Sequence, residues 1–188
     1  MTMRLPLFLA ALALPLAAPA YAALNEGARA PDFTTDGAIA GKSFHLHLAE
    51  QLKKGPVVLY FFPAAFTGGC NAEAKAFAQS IDKFKAAGAT VIGMSADSVP
   101  QLKKFSTAHC AGKFAVANAS PKVIADYDVS LGQTFKTPEG VERAVTDRTS
   151  YVIAPDGTII YAHSDMSPAG HITGTLAAVR KWRADHPR

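Results

Sequence analysis

Two cysteines stand in this chain of 188 residues, and their surroundings differ. Cys70 lies in Pro63-Ala64-Ala65-Phe66-Thr67-Gly68-Gly69-Cys70-Asn71-Ala72-Glu73, directly after the apolar run Val57-Val58-Leu59-Tyr60-Phe61-Phe62. A thiol there can act as a nucleophilic thiolate, as half of a structural disulfide, or as a small buried apolar residue. Its place at a strand-to-helix junction favours the first. The start of a helix offers unpaired N–H groups and about half a positive charge, both of which suit an anion. Thr67 presents a hydroxyl just ahead of the sulfur on the same side of the turn. Gly68 and Gly69 let the backbone approach a small substrate closely, and Pro63 fixes the loop and screens the pocket from water. Other sulfur chemistries lack their patterns: there is no CxxC, no CxxCH for haem attachment, and no Cys/His array with zinc spacing.

The elements that position these residues can be read from periodicity. Val57 to Phe62 is β-branched and aromatic without polar alternation, the mark of a central strand covered on both faces, and Pro63 ends it. The next helix has the apolar stripe Cys70, Ala74, Phe77, Ile81 and Phe84, which turns Cys70 toward the core; Gly88 stops it. Thr90–Ser95 reads as a second buried strand. A helix then starts at Asp97 or Ser98 with Pro100 near its beginning, has Leu102, Phe105 and His109 inward, and carries Cys110 in its last turn. Phe114–Ala117 reads as a short strand and Ser120-Pro121 as the opening of a brief helix ending near Tyr127. From Val129 to Val145 the pattern is weak and predicts a loop or an irregular hairpin. Arg148–Ile153 and Thr158–Tyr161 flank Pro155-Asp156-Gly157, a hairpin signal. A final helix over Ser167–Asp185 has Ile172, Leu176 and Val179 inward and Trp182 packed against it. The segment 25–48 predicts a loop with short extended pieces. Strands alternating with helices, then a hairpin and a helix, predict an α/β class with a mixed central β-sheet flanked by helices, and a thioredoxin-like fold is the leading arrangement.

These residues resemble a family. Pro63-x-x-x-Thr67-x-x-Cys70 after an apolar strand, followed by Glu73, is similar to the active-site signature of the peroxiredoxins. Gly27-Ala28-x-Ala30-Pro31-Asp32-Phe33 resembles that family's opening segment. Asp147-Arg148-Thr149-Ser150-Tyr151-Val152-Ile153-x-Pro155-Asp156-Gly157 resembles its late arginine strand and turn. The resemblance implies a thiol peroxidase in which Cys70 attacks the peroxide O–O bond and becomes a sulfenic acid. It implies that Thr67 hydrogen-bonds peroxide and thiolate, that Arg148 favours the thiolate and stabilises developing negative charge, and that the N–H groups of Gly69 and Cys70 complete the pocket. It implies no metal or organic cofactor, a peroxide substrate, and a thiol reductant resembling thioredoxin. Cys110 is matched to the resolving thiol of a variant of the peroxiredoxin Q, or bacterioferritin comigratory, subgroup, which implies an intramolecular Cys70–Cys110 disulfide. The commoner variant has its second cysteine where this chain has Lys75. Glu73 reads as a carboxylate serving the helix dipole or a cap, outside the chemistry.

Composition bounds the rest. Residues 1–22 carry Arg4, an apolar run from Leu5 to Ala18, and Ala20-Tyr21-Ala22, the layout of a cleavable secretory signal peptide. That leaves 23–188 as a single thioredoxin-like domain, periplasmic or secreted, without membrane association after cleavage and working as a monomer or weak dimer. The formal charge of +4 is scattered over pairs such as Lys53-Lys54 and Arg180-Lys181, which argues against nucleic acid. His45 and His47 share a strand face but lack a third ligand nearby, so no metal site is expected. Two other functions compete: an exported thioredoxin-fold disulfide reductase, which needs the absent CxxC, and a non-enzymatic domain held by a structural Cys70–Cys110 disulfide.

Overall fold

The computed structural model describes residues 23–136 and 140–187. The expected signal peptide over 1–22 lies outside these residues. Among the described residues, no helix is long and apolar enough to cross a membrane.

The strand read at Val57 is β3 (Val57–Phe61), following a hairpin of β1 (Thr34–Ile39) and β2 (Lys42–His47) and the short helix α1 (Leu48–Leu52). After β3 come α2 (Gly68–Ala86), β4 (Thr90–Ser95), α3 (Val99–Ala108), β5 (Ala115–Asn118) and α4 (Pro121–Asp126). The chain then forms β6 (Ser130–Lys136), β7 (Glu142–Thr146), β8 (Thr149–Ile153), β9 (Ile159–Ser164) and α5 (Ala169–Asp185). Seven strands make one mixed sheet in the order β2-β1-β5-β4-β3-β8-β9, and β6 and β7 pair separately. β3 runs parallel to β4 and antiparallel to β8, with all five of its residues buried. This is the mixed α/β arrangement expected from the pattern.

Because successive side chains of a strand point to opposite faces, β3 feeds two cores. Val58, Tyr60 and Phe62 pack with Cys70, Phe77, Phe84, Phe105, Cys110 and Val179 beneath α2, α3 and α5. Val57, Leu59 and Phe61 pack on the other face with Leu46, Tyr127, Tyr151 and Ile153. The Tyr60 ring stacks on Phe77 at 4.4 Å and lies across β4 at Gly93, where a Cβ would come within 2.7 Å of it. Larger side chains are therefore excluded from that position.

Several local expectations need correction. The 25–48 segment contains a paired hairpin, and Thr34, Thr35, Asp36 and Gly37 hide the period of its first strand although β1 lies inside the sheet between β2 and β5. The weak region after Val129 needs none: of the two readings it allows, it is the irregular hairpin, with a register shift between Ser130 and Thr134. α3 ends at Ala108, so Cys110 sits in the turn beyond it, where Ala111 and Gly112 take left-handed conformations with φ of 51° and 65°. On α5 the fully buried residues are His171, Thr175 and Val179, with Ile172 and Leu176 flanking them.

Candidate active site

Cys70 occupies the first turn of α2, 2% exposed. Thr67 is the residue before the helix, and its carbonyl accepts the first helical bond, from Asn71 N at 2.8 Å. Its hydroxyl caps nothing; it donates to the Ala64 carbonyl at 2.9 Å. The first turn contains no acidic side chain, so the positive end of α2 faces the site without a carboxylate in that turn to offset it. Pro63 is half-buried at the end of β3, with its carbonyl 3.5 Å from Arg143 Nη1.

Arg148, just ahead of β8, reaches the sulfur. Its Nη2 donates to Cys70 Sγ at 3.5 Å, its Nε donates to the Met166 carbonyl at 2.9 Å, and its Nη1 donates to Glu73 Oε2. The guanidinium is 4% exposed and is held from three directions, a geometry lysine cannot reproduce. Burial works against its charge, but Glu73 and Cys70 facing it outweigh that and hold its pKa above the usual range. Gly69 has a sharper task than backbone access: a Cβ there would lie 3.1 Å from Arg148 Nη2. Gly68 has open space around it.

Glu73, read from the sequence as a dipole carboxylate, is fully buried and belongs to this cluster. Burial outweighs the neighbouring guanidinium and pushes its pKa up to about 7. The spacing from Cys70 was the available signal, since residues three apart share a helix face. Two further supports carry no sequence signal. Asp97, fully buried, accepts from Ala65 N at 2.7 Å and Ser95 Oγ at 2.8 Å, and forms an ion pair with Arg143 of β7 at 2.9 Å. The loop ahead of Cys70 is thereby fixed from β4 and from the β6–β7 hairpin. Phe66, at φ 68°, is a bulky residue in a region that favours glycine; its ring meets Phe105 at 5.4 Å and His109 at 5.5 Å.

Cys110 is the fifth predicted residue, and it shares the apolar core of Cys70 without sharing its polar surroundings. It is fully buried, and burial pushes its thiol up to about 12. Both thiols are free and they are not within disulfide distance. His45 and His47 pair with Asp36 and Asp32 at 2.9 and 2.8 Å on the exposed hairpin.

Residues 27–162 match the model of the AhpC/TSA family. The chain belongs to that family. Its members include the peroxiredoxins, peroxidase oxidoreductases that work through a cysteine thiol, and the similarity to this AhpC/TSA chain extends to a subgroup. Peroxiredoxin Q of Arabidopsis thaliana chloroplasts is 35% identical over 157 residues, covering 83% of this chain and 67% of the relative. That of Suaeda salsa is 33% identical over 156 residues, covering 82% and 67%. Coverage of the two rice relatives falls to 65% of their length, so the chain spans about two thirds of these proteins. Among solved structures, the peroxidoxin BcpB of Mycobacterium tuberculosis superposes with a TM-score of 0.71 at 28% identity, over 83% of this chain and 96% of that one. AhpC of the same organism, at 19% identity and a TM-score of 0.69, shares the fold over 89% of this chain and 97% of its own. This AhpC/TSA chain is therefore a peroxiredoxin Q-like protein with the thioredoxin-like fold.

Proposed function

We propose that the protein reduces hydrogen peroxide and small organic hydroperoxides through Cys70 and completes the cycle with Cys110. The observation that carries this reading is the Arg148 Nη2 contact with Cys70 Sγ at 3.5 Å in the open first turn of α2. The sulfur attacks the peroxide oxygen; an S–O bond forms as the O–O bond breaks, giving a sulfenic acid. The other oxygen leaves as hydroxide or alkoxide and takes a proton to become water or an alcohol. Arg148 and the α2 N–H groups lower the cost of the charge that moves onto that oxygen. Thr67, whose hydroxyl hydrogen is on Ala64, offers its oxygen lone pairs to the peroxide O–H, and Pro63 shields the loop.

In the second half, the Cys110 sulfur attacks the sulfenic sulfur, an S–S bond forms, and water departs. A thiol held near 12 is a poor nucleophile, so the turn carrying Cys110 and the start of α2 unwind locally first. A dithiol of thioredoxin type then exchanges with the disulfide and returns both thiols. With residues 1–22 as a signal peptide, residues 23–188 act as one exported domain, periplasmic or secreted, in monomers or weak dimers, without a metal or organic cofactor. The competing disulfide-reductase reading lacks a second cysteine in Cys70-Asn71-Ala72-Glu73, and the structural-disulfide reading has no bond to rest on.

The decisive experiment mixes reduced protein with stoichiometric peroxide and follows peroxide and thiols together. Rapid loss of peroxide that vanishes in Cys70→Ser is expected; peroxide unchanged by the parent protein would refute the reading.

A further inference from the structure

The buried face of α5 carries His171, fully enclosed, with both ring nitrogens engaged. Nε2 lies 2.8 Å from the Asp165 carbonyl oxygen, which can only accept, so Nε2 bears the hydrogen. In a neutral ring Nδ1 is then an acceptor, and Ser150 Oγ, 2.8 Å away, donates to it. Glu73 Oε1 lies 4.0 Å from the same Nδ1 and has no hydrogen-bond partner among the described residues, while Oε2 is bonded to Arg148. An ionised Glu73 thus points a bare oxygen at a lone pair in a dry site, an arrangement that costs free energy. Two proton placements relieve it. The carboxyl can take a proton and compete with the Ser150 hydroxyl for the single lone pair of Nδ1, or the ring can take a second proton and aim that at Oε1.

We propose that His171 is a positioning residue of the peroxidatic centre: with Ser150 it controls one proton shared with Glu73, and through Glu73 it sets how much of Arg148's charge reaches the Cys70 sulfur. Around the pair stand Arg148 just ahead of β8, Ser150 of β8, and His163 of β9, whose ring centre is 4.7 Å from that of His171. Asp165 follows β9, Cys70 lies on α2, and Tyr60 of β3 has a hydroxyl without a partner among the described residues. Burial raises Glu73 to about 7 and lowers His171 to about 4, so below about pH 7 the shared proton rests on the carboxyl. A neutral Glu73 leaves Arg148 to the sulfur; an ionised one divides it.

The link to peroxide rests on the peroxidase reading, whereas the proton itself can be observed without peroxide. The test uses the full reduced chain labelled with ¹³C at glutamate carboxyls, the Glu73 resonance being assigned by its loss in Glu73→Gln. The rate constant for hydrogen peroxide is measured by stopped flow over the same pH range. Ser150→Ala frees the Nδ1 lone pair for the carboxyl proton and raises the Glu73 midpoint; His171→Gln supplies an N–H donor and lowers it, each by about one pH unit. In each protein the rate constant falls about threefold as Glu73 ionises, at the shifted pH. Midpoints that stay put, or that move together in one direction, overturn the proposal, and Ser150→Ala decides alone should His171→Gln not fold. A rate step that ignores the moving midpoint removes the link to Cys70. Moving midpoints in a protein inert to peroxide refute the peroxidase reading while the shared proton stands.

Discussion

The two cysteines lie under the same helices yet occupy opposite chemical environments. Cys70 has a guanidinium at 3.5 Å and the open end of α2; Cys110 is sealed in the apolar core with its thiol pushed up to about 12. The contrast separates chemistry built into the folded state from chemistry that needs the fold to open. Attack on peroxide requires charge held in place, whereas disulfide formation between separated buried thiols requires backbone movement.

The strongest way to break this comparison is to remove each sulfur. Cys70→Ser should abolish peroxide consumption. Cys110→Ser should retain the first turnover and accumulate a sulfenic acid that a dimedone-type probe captures, and normal cycling in that variant would remove Cys110 from the mechanism. Next in size is Arg148→Lys, which keeps a charge but loses the three-way hold. Its rate constant for peroxide should fall by about a hundredfold, measured in stopped flow under single-turnover conditions. Gly69→Ala should separate reactivity from stability. Its Cβ would crowd Arg148 Nη2 at 3.1 Å, lowering the rate constant about fivefold by weakening a charge-assisted contact, while thermal melts should show no loss of stability because alanine suits a helix better than glycine.

The smallest effect concerns pH. Glu73, raised from 4.5 to about 7, contributes stability that is complete below 4.5 and lost as pH rises toward 7. His171, lowered from 6.5 to about 4, contributes stability that is complete above 6.5 and lost as pH falls toward 4. Between 4.5 and 6.5 the two slopes oppose each other and largely cancel. Glu73→Gln should therefore uncover a loss of stability on acidification from 6.5, with a slope of at most about 1.4 kcal/mol per pH unit, measured by urea unfolding across that range.

The central strands and the stripe of α2 were legible because their residues are uniformly apolar or apolar at helical spacing. Arg148 was legible only through its resemblance to a family strand, since an arginine's reach to a distant sulfur has no local signature. On α5 the apolar spacing points to Ile172, Leu176 and Val179, and all three pack on the core, but alongside Val179 the fully enclosed positions are His171 and Thr175, polar side chains that satisfy themselves through Asp165, Ser150 and the helix carbonyls. Glu73 escapes the pattern for the same reason. Asp97 and Arg143 are far apart in sequence and meet only because the β6–β7 hairpin folds over the loop. Buried polar groups escape pattern reading because their partners, not their own periodicity, license their burial.

The complete enclosure of Cys110 turns that residue into a gauge. A thiol-alkylating reagent can reach it only in molecules whose turn has opened, so the labelling rate in reduced protein counts openings rather than exposed sulfur. Read beside the rate of disulfide formation after peroxide is added, it gives the fraction of openings that end in a bond, and the labelling half of that comparison times the resting molecule with no peroxide present.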